Sequence, residues 1–155
     1  MEPSRLKLLA YHLKSLQISP YEDADALPVG QYADFHLAEF SSEVQHLEMK
    51  DEGSEDLKHG LSLKLSVSRG ESQSFPYAIQ LEAVGIFNAS SLPHERQIPL
   101  VLVNGASMLY GALREVLLML TQRCMHGPVM LPSVHFVQLE KDYLQSQAVQ
   151  VESSH

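Results

Sequence analysis

The stretch Leu61-Ser-Leu-Lys-Leu-Ser-Val-Ser68 alternates apolar and polar side chains without a break. A period of two sets Leu61, Leu63, Leu65 and Val67 on one face of an extended strand, and Ser62, Lys64, Ser66 and Ser68 on the other. Arg69-Gly-Glu-Ser72 then supplies a turn. The alternation resumes with Phe75, Tyr77, Ile79, Leu81 and Ala83 on one face and closes at Gly85-Ile-Phe87. Residues 61–87 are therefore expected as an antiparallel hairpin with one wet face.

Upstream the patterns are less regular. Leu9, Tyr11 and Leu13 share one phase, Leu16 and Ile18 the other, so a bulge near Lys14-Ser15 is expected within a first strand. Phe35 and Leu37, followed by Val44, Leu47 and Met49, suggest a second strand with broken phase. An acidic, proline-marked connection (residues 19–28) and a polar loop (50–56) separate them, giving a four-stranded antiparallel meander.

After Phe87 the character changes. Residues 88–99 read as a crossover linker with Pro93 and Pro99. Asn104 is placed to cap a long helix running to about Met125. Leu109, Leu113, Val116, Leu117, Leu120 and Cys124 form its stripe, with Leu118 and Met119 off it. Apolar on all sides from Val116 to Leu120, this helix is expected to pack on its own sheet and on a partner subunit. Gly127-Pro128 ends it. A short last helix fits Phe136, Leu139, Tyr143 and Gln147, with residues 148–155 as a flexible tail. The fold class is α+β, one domain over residues 1–147.

With 155 residues, 45% of them hydrophobic, the chain can bury one domain's core. Its formal charge of −8 argues against nucleic acid and anionic membranes as partners. The lone Cys124 allows no intrachain disulfide, and Met1-Glu-Pro-Ser-Arg-Leu6 does not read as a signal peptide, so a cytoplasmic setting is expected. The apolar run Leu113–Leu120 is too short and too charged to span a bilayer, and no membrane insertion is expected. Eight histidines show no metal-ligand spacing, and Cys124 on an apolar stripe reads as a buried thiol. Ser90-Ser91 near His94 and Glu95 lacks a nucleophile elbow, and Gly105-Ala-Ser is a poor phosphate cradle. No catalytic residue, metal or cofactor is expected. Arg114-Glu115 is either the exposed edge of the helix or a polar contact to a neighbouring subunit.

The second half carries a family likeness. Ala78-Ile-Gln-Leu-Glu-Ala-Val-Gly-Ile-Phe87, Met108-Leu-Tyr-Gly-Ala-Leu-Arg-Glu115, Leu131-Pro-Ser-Val-His-Phe136 and Asp142-Tyr-Leu-Gln-Ser-Gln147 follow in fixed order and spacing. In this the chain resembles the SecB family of protein-export chaperones. The resemblance implies four antiparallel strands, a crossover and two helices, assembled as a homotetramer, a dimer of dimers. Leu109, Leu113, Val116, Leu117, Leu118, Met119 and Leu120 would form the oligomer interface. Unfolded or precursor polypeptides would lie in grooves lined by Phe35 and Leu37 on the second strand, by Leu92, Ile98 and Val101 of the crossover, and by Val137 and Leu144 on the last helix. No nucleotide would be used, and clients would pass to the SecA motor. The acidic positions that dock SecA fall on Ser15, Ser19 and Gln80, with Glu82 nearby, and an aromatic of the last helix falls on Glu140. Two roles stay open: a holdase serving Sec export, or a SecB-like chaperone dedicated to one client such as an antitoxin. A small-ligand or enzymatic domain is the reading from another class, and would need a closed polar pocket.

Overall fold

The alternating runs become β3 (Leu57–Ser68) and β4 (Tyr77–Asn88), paired antiparallel with Leu61 opposite Gly85, Leu63 opposite Ala83 and Leu65 opposite Leu81. All the expected inward residues of both strands are buried. The computed structural model describes residues 2–25, 27, 31–71 and 74–154. Ser72 of the expected turn, Ala26 and Pro28 of the acidic connection, and His155 lie outside the described residues.

The strand Glu39–Lys50, β2, adds to β3, so β2, β3 and β4 form a meander. The strand Lys7–Pro20, β1, does not extend it beyond β2. It pairs with β4 on the opposite side, giving the order β1-β4-β3-β2. This corrects the simple four-strand meander: β4 has a free edge once β3 is paired, and only a long-range contact can reveal which strand takes it. The register of β1 shifts between Leu13 and Ser15, the bulge that the phase change signals, and again between Leu8 and Ala10. The extra residue Lys14 reaches across to Glu82, with Nζ 2.9 Å from Oε1.

Phe35 and Leu37 are not in β2. They form a single 3-10 turn, Phe35–Leu37, started by Asp34, whose Oδ1 accepts from the His36 N–H at 2.9 Å. The short Asp side chain captures a backbone donor that a strand would need for its ladder.

The crossover is helical rather than a loop. One helix of 28 residues runs from His94 to Thr121. It comprises α1 (His94–Leu100), a π-helical segment (Val101–Gly105) and α2 (Ala106–Thr121). Pro99 sits inside it, without an N–H for the helical ladder, and the wider π turn follows directly. Asn104 is thus inside the helix, not its cap. The helix is long and apolar enough to cross a membrane by length and composition, longer than the Leu113–Leu120 run suggests. A core helix passes the same test, and here Leu109, Leu113 and Leu117 lie buried in the core cluster with the inner face of the sheet.

The helix ends at Thr121, not Met125. Thr121 Oγ1 donates to the Leu117 carbonyl at 2.7 Å and accepts from the Val129 N–H at 2.9 Å. The chain reverses through Gly127, whose φ of +83° favours glycine. Tyr77 fixes the reversal from the sheet: its hydroxyl donates to the Gly127 carbonyl at 2.6 Å and accepts from the His126 N–H at 3.1 Å. Cys124, beyond the helix, is half-buried against the core. The last helix, α3 (Val137–Ser153), continues past Gln147 through most of the segment read as a tail.

Candidate functional site

The first part of the long helix, α1 with the π-helical segment that follows it, has two working sides. Gln97 and Val101 are buried toward the sheet. Arg96, Leu100 and Val103, spaced i, i+4, i+7, point the other way, toward α3. Between them lies an open groove of about 640 Å³. Its apolar lining is Leu92, Pro99, Leu100 and Val103 on the crossover side and Leu144 on α3. Arg5, Glu95, Arg96 and Glu140 add charged groups of both signs. Leu144 is 51% exposed. An open groove that mixes apolar side chains with charges of both signs suits an extended chain with mixed side chains, and is not a closed polar pocket for a small ligand.

The sequence-derived groove candidates divide. Leu92 and Leu144 line this groove. Val137, on the first turn of α3, is exposed but outside it. Ile98 is half-buried against the core, and Val101 is fully buried in the core and faces no groove. Phe35 packs its ring 5.1 Å from that of Phe75, and Leu37 is exposed beside it. A smaller cleft of about 190 Å³ opens nearby between Phe40 of β2 and Val134, Phe136 and Leu139. Sequence reasoning missed Pro99, Leu100, Val103 and the charged residues. A helix through Pro99 is costly enough that the segment reads as linker, which hides the 96–100–103 spacing.

The candidates for an oligomer interface divide by helix face. Leu109, Leu113 and Leu117 are buried on the home sheet and present no surface to a second subunit. Val116 and Leu118 are half-buried, whereas Met119 and Leu120, joined by Met108, are open. Arg114 donates toward the Met130 sulfur within its own chain at 3.2 Å, and Glu115 is exposed.

The outer face of the sheet carries a ladder of alternating charge. Glu43 of β2 is opposite Lys64 of β3, Lys64 is opposite Glu82 of β4, and Glu82 meets the bulge residue Lys14. Beside it, a shallow groove of about 500 Å³ is lined by uncharged Gln17, Ser19, Ser66, Ser68 and Gln80, with Glu39 its one acid. Among the described residues no group of three or more metal-ligating side chains comes together.

Residues 36–148 match the model of a protein family described as SecB, preprotein translocase subunit SecB. The chain belongs to the SecB family. Most of the groove lies within the matched residues, and the family is one of chaperones rather than of enzymes. Among solved structures, the SecB-like chaperone of Mycobacterium tuberculosis, in complex with a ChAD peptide from the HigA1 antitoxin, is similar at 15% identity and a TM-score of 0.52. The match covers 84% of this chain and 91% of the mycobacterial one, and at this identity it is a likeness of fold. A Streptococcus agalactiae protein of unknown function matches at 12% identity and a TM-score of 0.46, covering 83% of this chain and 97% of that one. No curated protein matches the chain.

Proposed function

We propose that this SecB-family chain is an ATP-independent holdase that keeps unfolded polypeptide in the groove between α1 and α3. The observation that carries this reading is the open groove in which Leu92, Pro99, Leu100, Val103 and Leu144 stand among Arg5, Glu95, Arg96 and Glu140. Unfolded chains differ from folded ones chiefly in exposing apolar side chains, so an open groove with apolar side chains set among charges recognises them without reading their sequence. The open side of α2 at Met108, Met119 and Leu120, 38–63% exposed, supports assembly with further copies, as a dimer or homotetramer. Diluting a denatured, slow-folding substrate into buffer with the assembled protein and no nucleotide tests it. Light scattering is expected to stay flat at near-stoichiometric oligomer; undiminished aggregation would reject the holdase.

A second observation favours a chaperone uncoupled from Sec export and dedicated to a client. Among the described residues the outer sheet face offers little uncompensated acid: Ser15, Ser19 and Gln80 are uncharged, Glu82 is paired with Lys14, and Glu43 lies opposite Lys64, which leaves Glu39. A docking face for a basic site on SecA needs uncompensated negative charge. The mycobacterial relative's complex with an antitoxin peptide supports a client of that kind. No saturable binding to purified SecA is expected at low ionic strength, where such attraction is strongest; a clean binding isotherm would return the protein to export.

A further inference from the structure

One polar chain crosses the apolar inner face of the sheet. His59 shares the parity of Leu61, Leu63 and Leu65, so β3 turns its ring inward, where it is fully buried. His59 Nε2 lies 3.0 Å from Gln97 Oε1 on α1, and Gln97 Nε2 donates to the Leu92 carbonyl at 2.9 Å. On the other side, His59 Nδ1 lies 3.0 Å from Nε2 of His46 on the edge strand β2. The two imidazoles stack with centroids 5.2 Å apart. Leu92, at the far end of the chain, lines the groove.

The donors and acceptors fix the tautomers. The Gln97 amide oxygen only accepts, so His59 carries hydrogen on Nε2. A neutral His59 then has a bare Nδ1, and His46 must donate from Nε2. All donors point one way, from β2 through β3 and α1 to the groove wall. A proton arriving on His59 Nδ1 sets N–H against N–H, unless His46 changes tautomer. A proton on each ring puts two cations in contact, with the one on His59 fully buried.

The groups that face the pair are few. From β2 comes Glu48, and from α1 His94, whose Nε2 is 3.8 Å from Glu48 Oε1; opposite His59, β4 offers apolar Phe87. Burial first, and then the neighbouring His59, hold His46 below its ordinary pKa of 6.5, while Glu48 pulls it upward. The unfolded chain therefore binds the His46 proton more readily than the folded one. The stabilisation is fully present above pH 6.5 and is lost as pH falls through the lower folded-state value.

We propose that His46, His59 and Gln97 form a proton-sensitive latch that ties the edge strand to the Leu92 end of the groove, so that mild acidification loosens the groove wall and releases client. The release rests on the groove reading above; the latch does not. Hydrogen exchange on the full chain reads the latch with no client present. After correction for intrinsic rates, residues 92–100 are expected to exchange about tenfold faster near pH 5.5 than near pH 7.5. In His46→Phe that dependence on pH is expected to disappear. In Gln97→Leu the same residues are expected to exchange fast at both pH values. Nitrogen-15 shifts of the wild-type rings give an independent readout: hydrogen on Nε2 of both at neutral pH supports the latch, and Nδ1 hydrogens overturn it. An identical exchange profile in wild type and His46→Phe also overturns it. Affinity for reduced, carboxymethylated α-lactalbumin, a permanently unfolded probe, is expected to weaken about tenfold over the same pH step in wild type alone. Responsive exchange with no probe binding at either pH would reject the groove and keep the latch. Probe binding with flat exchange would do the reverse.

Discussion

Leu144→Lys is expected to weaken client holding roughly thirtyfold while leaving the subunit folded. Leu144 is 51% exposed and makes the α3 side of the groove. Replacing an exposed residue away from caps and buried networks changes stability by about 0.5 kcal/mol or less. An ammonium group in the apolar trough has to be desolvated whenever an apolar client segment lies on it, and truncating a central contact of this kind costs about 2 kcal/mol or more, roughly thirtyfold in Kd. Titration with a permanently unfolded protein measures the loss, and a thermal melt checks the fold. The matched control is Leu47→Lys on β2, which is 64% exposed and outside the groove, and is expected to bind as wild type does. Equal losses from both variants would mean that clients are held by exposed apolar surface in general and not by this groove.

The largest stability effect is expected at the close of β4. Phe87 is fully buried, and a Cβ added at Gly85 would lie 2.7 Å from its ring and 3.0 Å from Leu109 Cδ2. Gly85 is thus the gap that lets the Phe87 ring fold back beneath α2. Phe87→Ala should cost about 3–5 kcal/mol by emptying that space. Gly85→Ala should cost about 1–3 kcal/mol by overfilling it, against the small gain that alanine brings to a strand. Since the new methyl occupies part of the space the ring leaves, the double variant should cost less than the two together, by about 0.5–3 kcal/mol. Urea unfolding of all four proteins at one fixed concentration measures the cycle, because assembly links stability to concentration. Strict additivity would mean that Gly85 and Phe87 do not share the space.

The parts of this fold that can be read from sequence are those with strong local periodicity. The β3–β4 hairpin, the bulge at Lys14-Ser15 and the Leu109–Leu113–Leu117 stripe all follow from side-chain spacing over a few turns or strand residues. The pairing of β1 with β4 is different in kind, because nothing local to either strand names its partner. The helical crossover was hidden for a second reason. Pro93 and Pro99 carry the composition of a linker, and only packing of Gln97 and Val101 against the sheet makes a helix there worthwhile. The linker reading conceals Pro99, Leu100 and Val103 in the groove, and the positional likeness that sets Val101 beside them meets a residue buried in the core. The His46–His59–Gln97 chain was half legible: His59 has the parity of the buried leucines, but its partners come from two other elements.

The placement of β1 has a consequence for how the chain is made. The earliest strand in this sequence completes its ladder only when Lys7 finds Asn88. At roughly 5–20 residues per second, the ribosome takes several seconds to deliver that partner. Throughout that interval Leu8, Leu9, Tyr11, Leu13 and Leu16 are an apolar strand with nowhere to bind, and even in the finished subunit each stays 38–48% exposed. β2, β3 and β4 can meanwhile zip up in order of synthesis, leaving one docking edge on β4 open to whichever copy of β1 arrives first. While it is being made, the nascent chain therefore presents the kind of exposed apolar segment that the proposed holdase groove of a finished copy would bind.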